Sequence, residues 1–310
     1  PPEHLRMRRI VLEAFTPQAI AGMEPWLRER AREIMDAAAC RRDCDFVRDL
    51  AGALPMQTIN QMMAIPEEDR GRIVALGDRI IGRSDPDFAA QPGEPDPHHE
   101  LGAYGFALAQ QRVGRGGRDL ISLMLDAEIE GRPLDGVAFA ALFVQIAVAA
   151  NETTRTLLSG AMLALLEHPD AYRALESDPS LLPSAVEEML RWVTPVHYFR
   201  RTATRDVELR GQKIREGDRV VLHYTSANFD EEVFADPFRF DVRRDPNPHL
   251  AFGFGEHFCL GARLARLEAR VFFEEFFRRF AGVELSGAPR RLRSNLNNAY
   301  KAIPVRLTPR

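Results

Sequence analysis

The residues best suited to chemistry lie in one short run, Phe252-Gly253-Phe254-Gly255-Glu256-His257-Phe258-Cys259-Leu260-Gly261-Ala262. Three glycines flank a single cysteine, and a long helical pattern runs from Cys259 to Phe280. Glycine tolerates positive φ and lets the backbone approach something flat. A cysteine at the mouth of a helix meets free N–H groups and the positive end of the helix dipole. That environment is expected to lower its pKa and make a thiolate, which can bind a metal ion or a macrocycle. Read as zinc ligands, Glu256, His257 and Cys259 fall short of the four ligands in paired spacing that a structural site uses. A buried cysteine beside a glycine turn is the plain alternative.

A second cluster, Ala149-Ala150-Asn151-Glu152-Thr153-Thr154, interrupts the most apolar stretch of the chain. A buried glutamate is costly without partners or a proton to carry. A threonine inside a helix can turn its hydroxyl to the carbonyl four residues back, here that of Ala149, bending the helix and admitting water. Glu152 and Thr153 together could relay protons. The same residues also suit the polar end of a buried segment reaching solvent. A third pattern, Glu188-Met189-Leu190-Arg191, sets acid and base three apart on one helix face, the spacing of a common surface pair.

The elements that must position these groups are mostly helical. Helices are expected over 6–15, from Thr16-Pro17 to Ala39, over 45–64, 67–82, 99–112 and 118–130, and from Ser184 to Trp192. Ser84 to His98, with Pro86, Pro92, Gly93, Pro95 and Pro97, reads as a mobile loop, and Gly131-Arg132-Pro133 as a turn. From Leu134 to Glu167 a single helix would run ~50 Å. Its Val137–Ala150 part has Gln145 as its one polar residue. That apolar run is shorter than the ~20 residues of a membrane span, so a central helix buried in protein is expected. Short strands follow at Val207–Leu209, Gly211–Ile214 and Arg219–Tyr224. Residues 226–251 look irregular, and Leu292–Leu307 reads as strand, turn, strand. The expected fold is one mainly α domain over 1–310 with small β-sheets.

Composition narrows the classes. The 310 residues carry 41 Lys plus Arg against 45 Asp plus Glu, a formal charge of −4, which speaks against nucleic acid as the main partner. Three cysteines, Cys40, Cys44 and Cys259, form no disulfide framework and fit a reducing compartment. The chain opens Pro1-Pro2-Glu3-His4 with no Met and no leader pattern, and its first residues already read as a helix start, so an N-terminal segment is expected to be missing.

The cysteine run resembles the haem-binding loop of the cytochromes P450, whose signature is Phe-Gly-x-Gly-x-His-x-Cys-x-Gly. Every fixed position is met. Ala149 to Thr153 is similar to that family's Ala-Gly-x-Asp/Glu-Thr motif, with Ala150 in place of the usual glycine, and Glu188–Arg191 is similar to its Glu-x-x-Arg motif. The motifs stand in the family's order from Pro2 to Gly261, while the family's first helices and strands are absent.

The resemblance implies the cytochrome P450 fold and a haem b (iron protoporphyrin IX) ligated by the Cys259 thiolate. It implies carboxylate partners in His4, Arg8, Arg201 and His257, further cofactor contacts from Ala149, Ala150, Phe252, Gly253 and Gly261, and a proton path through Glu152 and Thr153. Glu188 and Arg191 would take Arg239 as third partner in a folding role. The implied activity inserts one atom of O2 into a C–H bond of an apolar substrate in the cytoplasm. Electrons would come from NAD(P)H through a reductase and a ferredoxin that docks near Arg263 and Arg266, with no membrane span and no nucleic acid. Substrate-pocket candidates are Gln145, Val148, Val193, Val196, His197, Asn298 and Ala299. Within the family, Ala150–Arg155, Ser226–Phe234 and Asp245–His249 resemble a bacterial group that hydroxylates sterol side chains, methyl-branched lipids or terpenoid alcohols. The competing classes are a haem protein without turnover, including an inactive truncated form, and a peroxide-driven hydroxylase.

Overall fold

The computed structural model describes residues 2–89 and 93–310. Of the expected loop over Ser84–His98, residues 90–92, Pro92 among them, lie outside the described residues. The helices are α1 (Pro2–Leu12), α2 (Pro17–Gly22), α3 (Glu24–Arg41), α4 (Ala53–Met62), α5 (Arg70–Ile81), α6 (Pro97–Gln110), α7 (Leu120–Leu125), α8 (Gly136–Glu167), α9 (Pro169–Ser177), α10 (Leu182–Val193), α11 (Tyr224–Ala227) and α12 (Ala262–Arg279). The strands are β1 (Asp43–Asp45), β2 (Glu128–Ile129), β3 (Arg132–Pro133), β4 (Tyr198–Thr202), β5 (Val207–Leu209), β6 (Gln212–Ile214), β7 (Arg219–His223), β8 (Phe280–Leu285), β9 (Arg290–Arg291), β10 (Tyr300–Ala302) and β11 (Pro304–Pro309). The architecture is mainly α with small sheets, as expected.

Helix α8 is the axis. The Asp135 side chain accepts from the Ala138 N–H at 2.8 Å, satisfying one of the free donors at its start. Pro169 prevents its continuation. By length and composition α8 could cross a membrane, but α4, α5, α6, α10 and α12 pack on it. Its Phe143, Leu157, Leu158, Ala161, Met162 and Leu165 are buried. Gly160 lets α10 come close: a Cβ there would sit 2.8 Å from Val193 Cγ1. One side of α8 is not covered. Val137, Ala141, Gln145 and Ala149 are exposed at a spacing of four residues, a stripe on a single helix face. Three of these four bare positions are apolar, a surface that a ligand or another apolar group would cover.

Two helical expectations are corrected. The segment 45–64 starts in β1, makes a π-helical turn over Phe46–Ala51 and only then enters α4. Asp45 is the cause: it pairs in the sheet with Pro304, and its carboxylate accepts from Val47 N and Ile303 N. The segment 118–130 is helical only over α7, because Glu130 and Gly131 take positive φ and turn the chain into the β2–β3 hairpin. The three-stranded sheet β1-β11-β8 ties residues near both ends of the chain together.

Candidate functional site

The cysteine loop is held by its own backbone. Gly253 and Gly255 adopt φ of 72° and 71°, and Cys259 N–H closes the loop by donating to Phe252 O at 2.9 Å. At Gly253 a Cβ would stand 3.0 Å from the Tyr224 hydroxyl, so both the conformation and the neighbour call for glycine. The loop delivers Cys259 just ahead of α12, and the Gly261 N–H hydrogen-bonds to its sulfur.

The expected lowering of the thiol pKa is corrected. Burial of the sulfur pushes it up, and this outweighs the Gly261 N–H and the charges of Arg8 and Arg266, which act downward. Some surface of Cys259 remains exposed, yet the packing around the sulfur decides the sign. A bound cation would act the other way and draw off the thiol proton.

Cationic and hydrogen-bonding groups converge beside this loop. The His4 and His257 rings stack with centroids 4.0 Å apart. Arg8 Nη2 donates to Phe258 O at 2.9 Å, which pins α1 to the loop. Burial, and then the charges of Arg8 and Arg201, hold His4 below its usual pKa; burial, His4 and Arg201 do the same for His257. Glu256 acts on both in the opposite direction. His4 Nδ1 is buried with no hydrogen-bond partner. Four groups that repel one another's protons, with one weakly placed acid among them, suit a ligand that brings carboxylates. A haem, with a metal for Cys259 and two carboxylates for this cluster, fits the residues present.

On α8 the Thr153 hydroxyl donates to Ala149 O at 2.8 Å, the bond expected from sequence. Glu152 is 3% exposed and pairs with Arg155, whose Nη2 also reaches Asp78 Oδ1 on α5 at 2.8 Å. Burial raises the Glu152 pKa, with Arg155 opposing and Asp78 reinforcing. Its Oε1 is buried without a partner.

The Glu188–Arg191 pair lies wholly inside the protein, with Nε–Oε2 and Nη2–Oε1 both at 2.8 Å. Arg191 Nη1 also donates to the carbonyls of Asn228 and Pro237, each at 2.8 Å. The third partner is Arg244, whose Nε reaches Glu188 Oε2 at 3.1 Å, and not Arg239. The Arg239 N–H closes a turn on Asp236 O, which points its side chain outward, 70% exposed. Only its carbonyl faces Arg191 and Arg244.

The expected pocket residues divide. Gln145 and Ala149 lie on the bare stripe of α8. Val148, and with it Ala150, which was expected as a cofactor contact, pack against the hydrophobic core, because neighbouring residues on a helix point ~100° apart. Val193 is buried against Gly160, and Ala299 is buried too. The tail turn does meet the segment after α10: Val196 bridges to Asn297, and Asn298 N–H donates to Pro195 O at 3.0 Å. The polar handles are already engaged, however. His197 Nδ1 contacts Thr225 Oγ1 at 2.9 Å, while the Asn298 amide donates to Val193 O and accepts from Arg291. Arg266, expected as a docking cation, is bound to Glu187 through two contacts of 2.7 Å and lies over the Phe252 ring at 4.6 Å. Arg263 remains exposed.

Sequence reasoning missed Arg244, which sits in irregular chain without a periodic signal. It also missed Glu268, a buried acid on α12 that burial pushes to about 7, with the hydroxyls of Thr58 and Thr154 opposing. Glu268 was legible: it falls on the apolar face shared by Leu264, Leu267, Val271 and Phe272. Among the described residues no group of three or more His, Cys, Asp or Glu could hold a metal ion.

Comparisons with known proteins agree on one family. Residues 108–296 match the family model described as Cytochrome P450. The chain is 44% identical over 310 residues to a methyl-branched lipid omega-hydroxylase of Mycobacterium tuberculosis, covering 98% of this chain and 72% of that enzyme. It is 39% identical over 314 residues to a steroid C26-monooxygenase of the same species, covering 100% of this chain and 71% of that enzyme. A Mycobacterium marinum cytochrome P450 solved in complex with pseudoionone superposes with a TM-score of 0.94 at 38% identity, over 99% of this chain and 75% of that one.

Proposed function

The chain belongs to the cytochrome P450 family and is a monooxygenase, and we propose that it hydroxylates an unactivated C–H bond of an apolar, chain-bearing substrate such as a branched lipid or a steroid side chain. The observation that carries this reading is the junction of the Cys259 loop with the His4, Arg8, Arg201 and His257 cluster. The names of the two relatives support the substrate class. One atom of O2 enters the substrate and the other leaves as water, with two electrons and two protons consumed. The electrons would come from NAD(P)H through a ferredoxin-type donor.

Cys259 would hold a haem b, which would supply the oxidising chemistry when bound. His4, Arg8, Arg201 and His257 would hold its carboxylates. The bare stripe of α8 offers Ala149 to the substrate side as a small apolar surface and Gln145 as a polar handle. Thr153, with its hydrogen committed to Ala149 O, keeps oxygen lone pairs free to accept from a water on that side. Glu152 lies one residue back, buried and raised in pKa, so its protonated form is better tolerated there than that of an exposed carboxyl.

The test is reconstitution with hemin, followed by a carbon monoxide difference spectrum of the reduced protein. The wild type should show the spectrum of thiolate ligation and Cys259→Ala should lose it. Titration with branched fatty acids and steroids should then displace the resting spectrum, and NADH consumption through a surrogate ferredoxin system should yield a hydroxylated product. A colourless protein, or nitrogen ligation in the wild type, overturns the reading. Thiolate ligation without any product from this panel would favour a haem protein that does not turn over these substrates.

A further inference from the structure

A small cavity lies between α4, α5, α6 and α8, away from the cysteine loop. Met56 and Ile59 of α4, Ile73 and Gly77 of α5, and Leu101 of α6 supply apolar walls. Three polar side chains also line it, Asn60 from α4 and Asn151 and Glu152 from α8. Each presents a buried atom with no hydrogen-bond partner: Asn60 Nδ2, Asn151 Oδ1 and Glu152 Oε1. Asn60 is 2% exposed and Glu152 3%. One donor and two acceptors left unpaired in the same cavity would be costly, since a buried unmet polar group loses about 1–3 kcal/mol.

The cavity has a volume of about 10 Å³, and a single water needs roughly 10–15 Å³ by that measure, together with two to four polar partners. The geometry assigns Asn60, Asn151 and Glu152 as the cradle of one ordered water molecule, with Asn60 the positioning residue that aims it at Glu152. The donor count fixes the orientation. Asn60 Nδ2–H can only donate, so it occupies a lone pair of the water oxygen. Both water hydrogens are then directed to the remaining acceptors, Asn151 Oδ1 and Glu152 Oε1. Glu152 therefore has Arg155 on one oxygen and an oriented water on the other.

The consequence is control over the proton held by Glu152. A hydrogen bond to the charged form of an acid favours that form, so the water offsets part of the burial that raises this carboxyl. The other charged groups acting on it are Arg155 of α8 and Asp78 of α5. The cavity residues contributed by α4 and α6, Met56, Ile59, Asn60 and Leu101, carry no charge. This inference rests on the monooxygenase reading only for the use to which the proton is put; the water and the carboxyl titration are properties of the protein alone.

The experiment compares wild type, Asn60→Leu and Asn60→Ser, each checked for an unchanged far-ultraviolet circular dichroism spectrum and thermal midpoint. A high-resolution crystal structure of the wild type should show one water within hydrogen-bond distance of all three atoms. Difference infrared spectra over a pH series, with Glu152→Gln identifying the band, should place the Glu152 carboxyl titration about one pH unit higher in Asn60→Leu. Asn60→Ser keeps a donor and should restore much of the wild-type midpoint. In the reconstituted enzyme, the pH dependence of the fraction of NADH converted to product should move by the same amount. A dry cavity overturns the proposal, as does an unmoved carboxyl band in Asn60→Leu. A moved band with an unmoved coupling profile overturns the positioning role. If the wild type makes no product with any substrate, the monooxygenase reading fails while the water and the band still decide the cradle.

Discussion

Replacing Arg191 with leucine should destroy the fold rather than trim the activity. The guanidinium is fully buried and makes two bonds of 2.8 Å to Glu188. It also holds the carbonyls of Asn228 and Pro237 at 2.8 Å, and Arg239 O at 3.3 Å. Leucine removes all of these bonds at once. Breaking a buried ion pair from one side costs about 3–5 kcal/mol, because the remaining charge is stranded. Arg244 and Asn247 still reach Glu188, which argues for the lower end. Two orphaned carbonyls add about 1–3 kcal/mol each, whereas Arg239 O keeps its bond from Arg244 at 2.9 Å. The sum, on the order of 5–10 kcal/mol, rivals the roughly 5–15 kcal/mol that separates a folded domain from its unfolded chain. Two controls bracket it. Arg244→Leu takes one of several donors from Glu188 and releases the solvent-accessible carbonyls of Ala235, Asp236 and Arg239, and should cost about 1–3 kcal/mol. Arg239→Leu removes an exposed side chain whose ion pair with Asp241 is 3.7 Å long, and should stay within ~0.5 kcal/mol. Urea denaturation followed by circular dichroism and by the fluorescence of Trp192, whose ring lies 5.7 Å from the Arg191 guanidinium, gives the ranking. Equal urea midpoints for Arg191→Leu and Arg239→Leu would refute the reasoning.

Glu187 gives an acid-stability test: burial acts upward, but hydrogen bonds from Arg266 and His249 hold it at about 2, against an ordinary value of 4.5. Its contribution, on the order of 3 kcal/mol, is fully present above pH 4.5 and is lost as the pH falls toward 2. Glu187→Gln should flatten the fall of the urea midpoint over that window, and an unchanged slope would contradict the assignment. Gly253→Ala forces a side chain onto φ 72° and within 3.0 Å of the Tyr224 hydroxyl; it should cost about 1–2 kcal/mol, lowering the thermal midpoint by a few degrees and weakening hemin retention in a titration. Thr153→Ala removes one hydrogen bond to Ala149 O and should leave the fold and hemin binding intact while diverting reducing equivalents to peroxide. Normal coupling of oxygen use to product in that variant would end the proton-relay reading.

What the sequence disclosed and what it hid follow from the range of the interactions involved. The span of α8, the glycine turns of the cysteine loop and the Thr153 bond back to Ala149 depend on residues within a few positions of one another, so type and spacing were enough. The three-stranded sheet depends on Asp43 facing Arg306, a pairing no local pattern encodes. Arg244 rather than Arg239 joins Glu188 because the Asp236–Arg239 turn rotates one arginine outward, and turn geometry in irregular chain leaves no period to read. The thiol was misjudged for a different reason. The Gly261 N–H and burial act on Cys259 in opposite directions, the first suggested by the glycine beside the helix start and the second visible only after packing.

The buried acids extend that argument from folding to chemistry, because donor supply separates them. Glu188 receives five donors: two from Arg191 and one each from Arg244, Asn247 and the Asp241 backbone. A carboxylate so surrounded is fixed in place and ties α10 to the segment that leads to the cysteine loop. Glu268 has threonine hydroxyls and no cation, and burial moves it to about 7. Glu152 has Arg155 on one oxygen and nothing from the protein on the other, and burial raises it as well. An acid can carry a proton only if both its states are tolerated in place, which requires fewer donors than the charged form alone would take. Glu188 is instead held as a structural tie by those bonds. Glu152 and Glu268 each keep a carboxyl oxygen without a partner and both are raised by burial, and of these Glu152 is the one whose chain neighbour, Thr153, borders the bare face of α8.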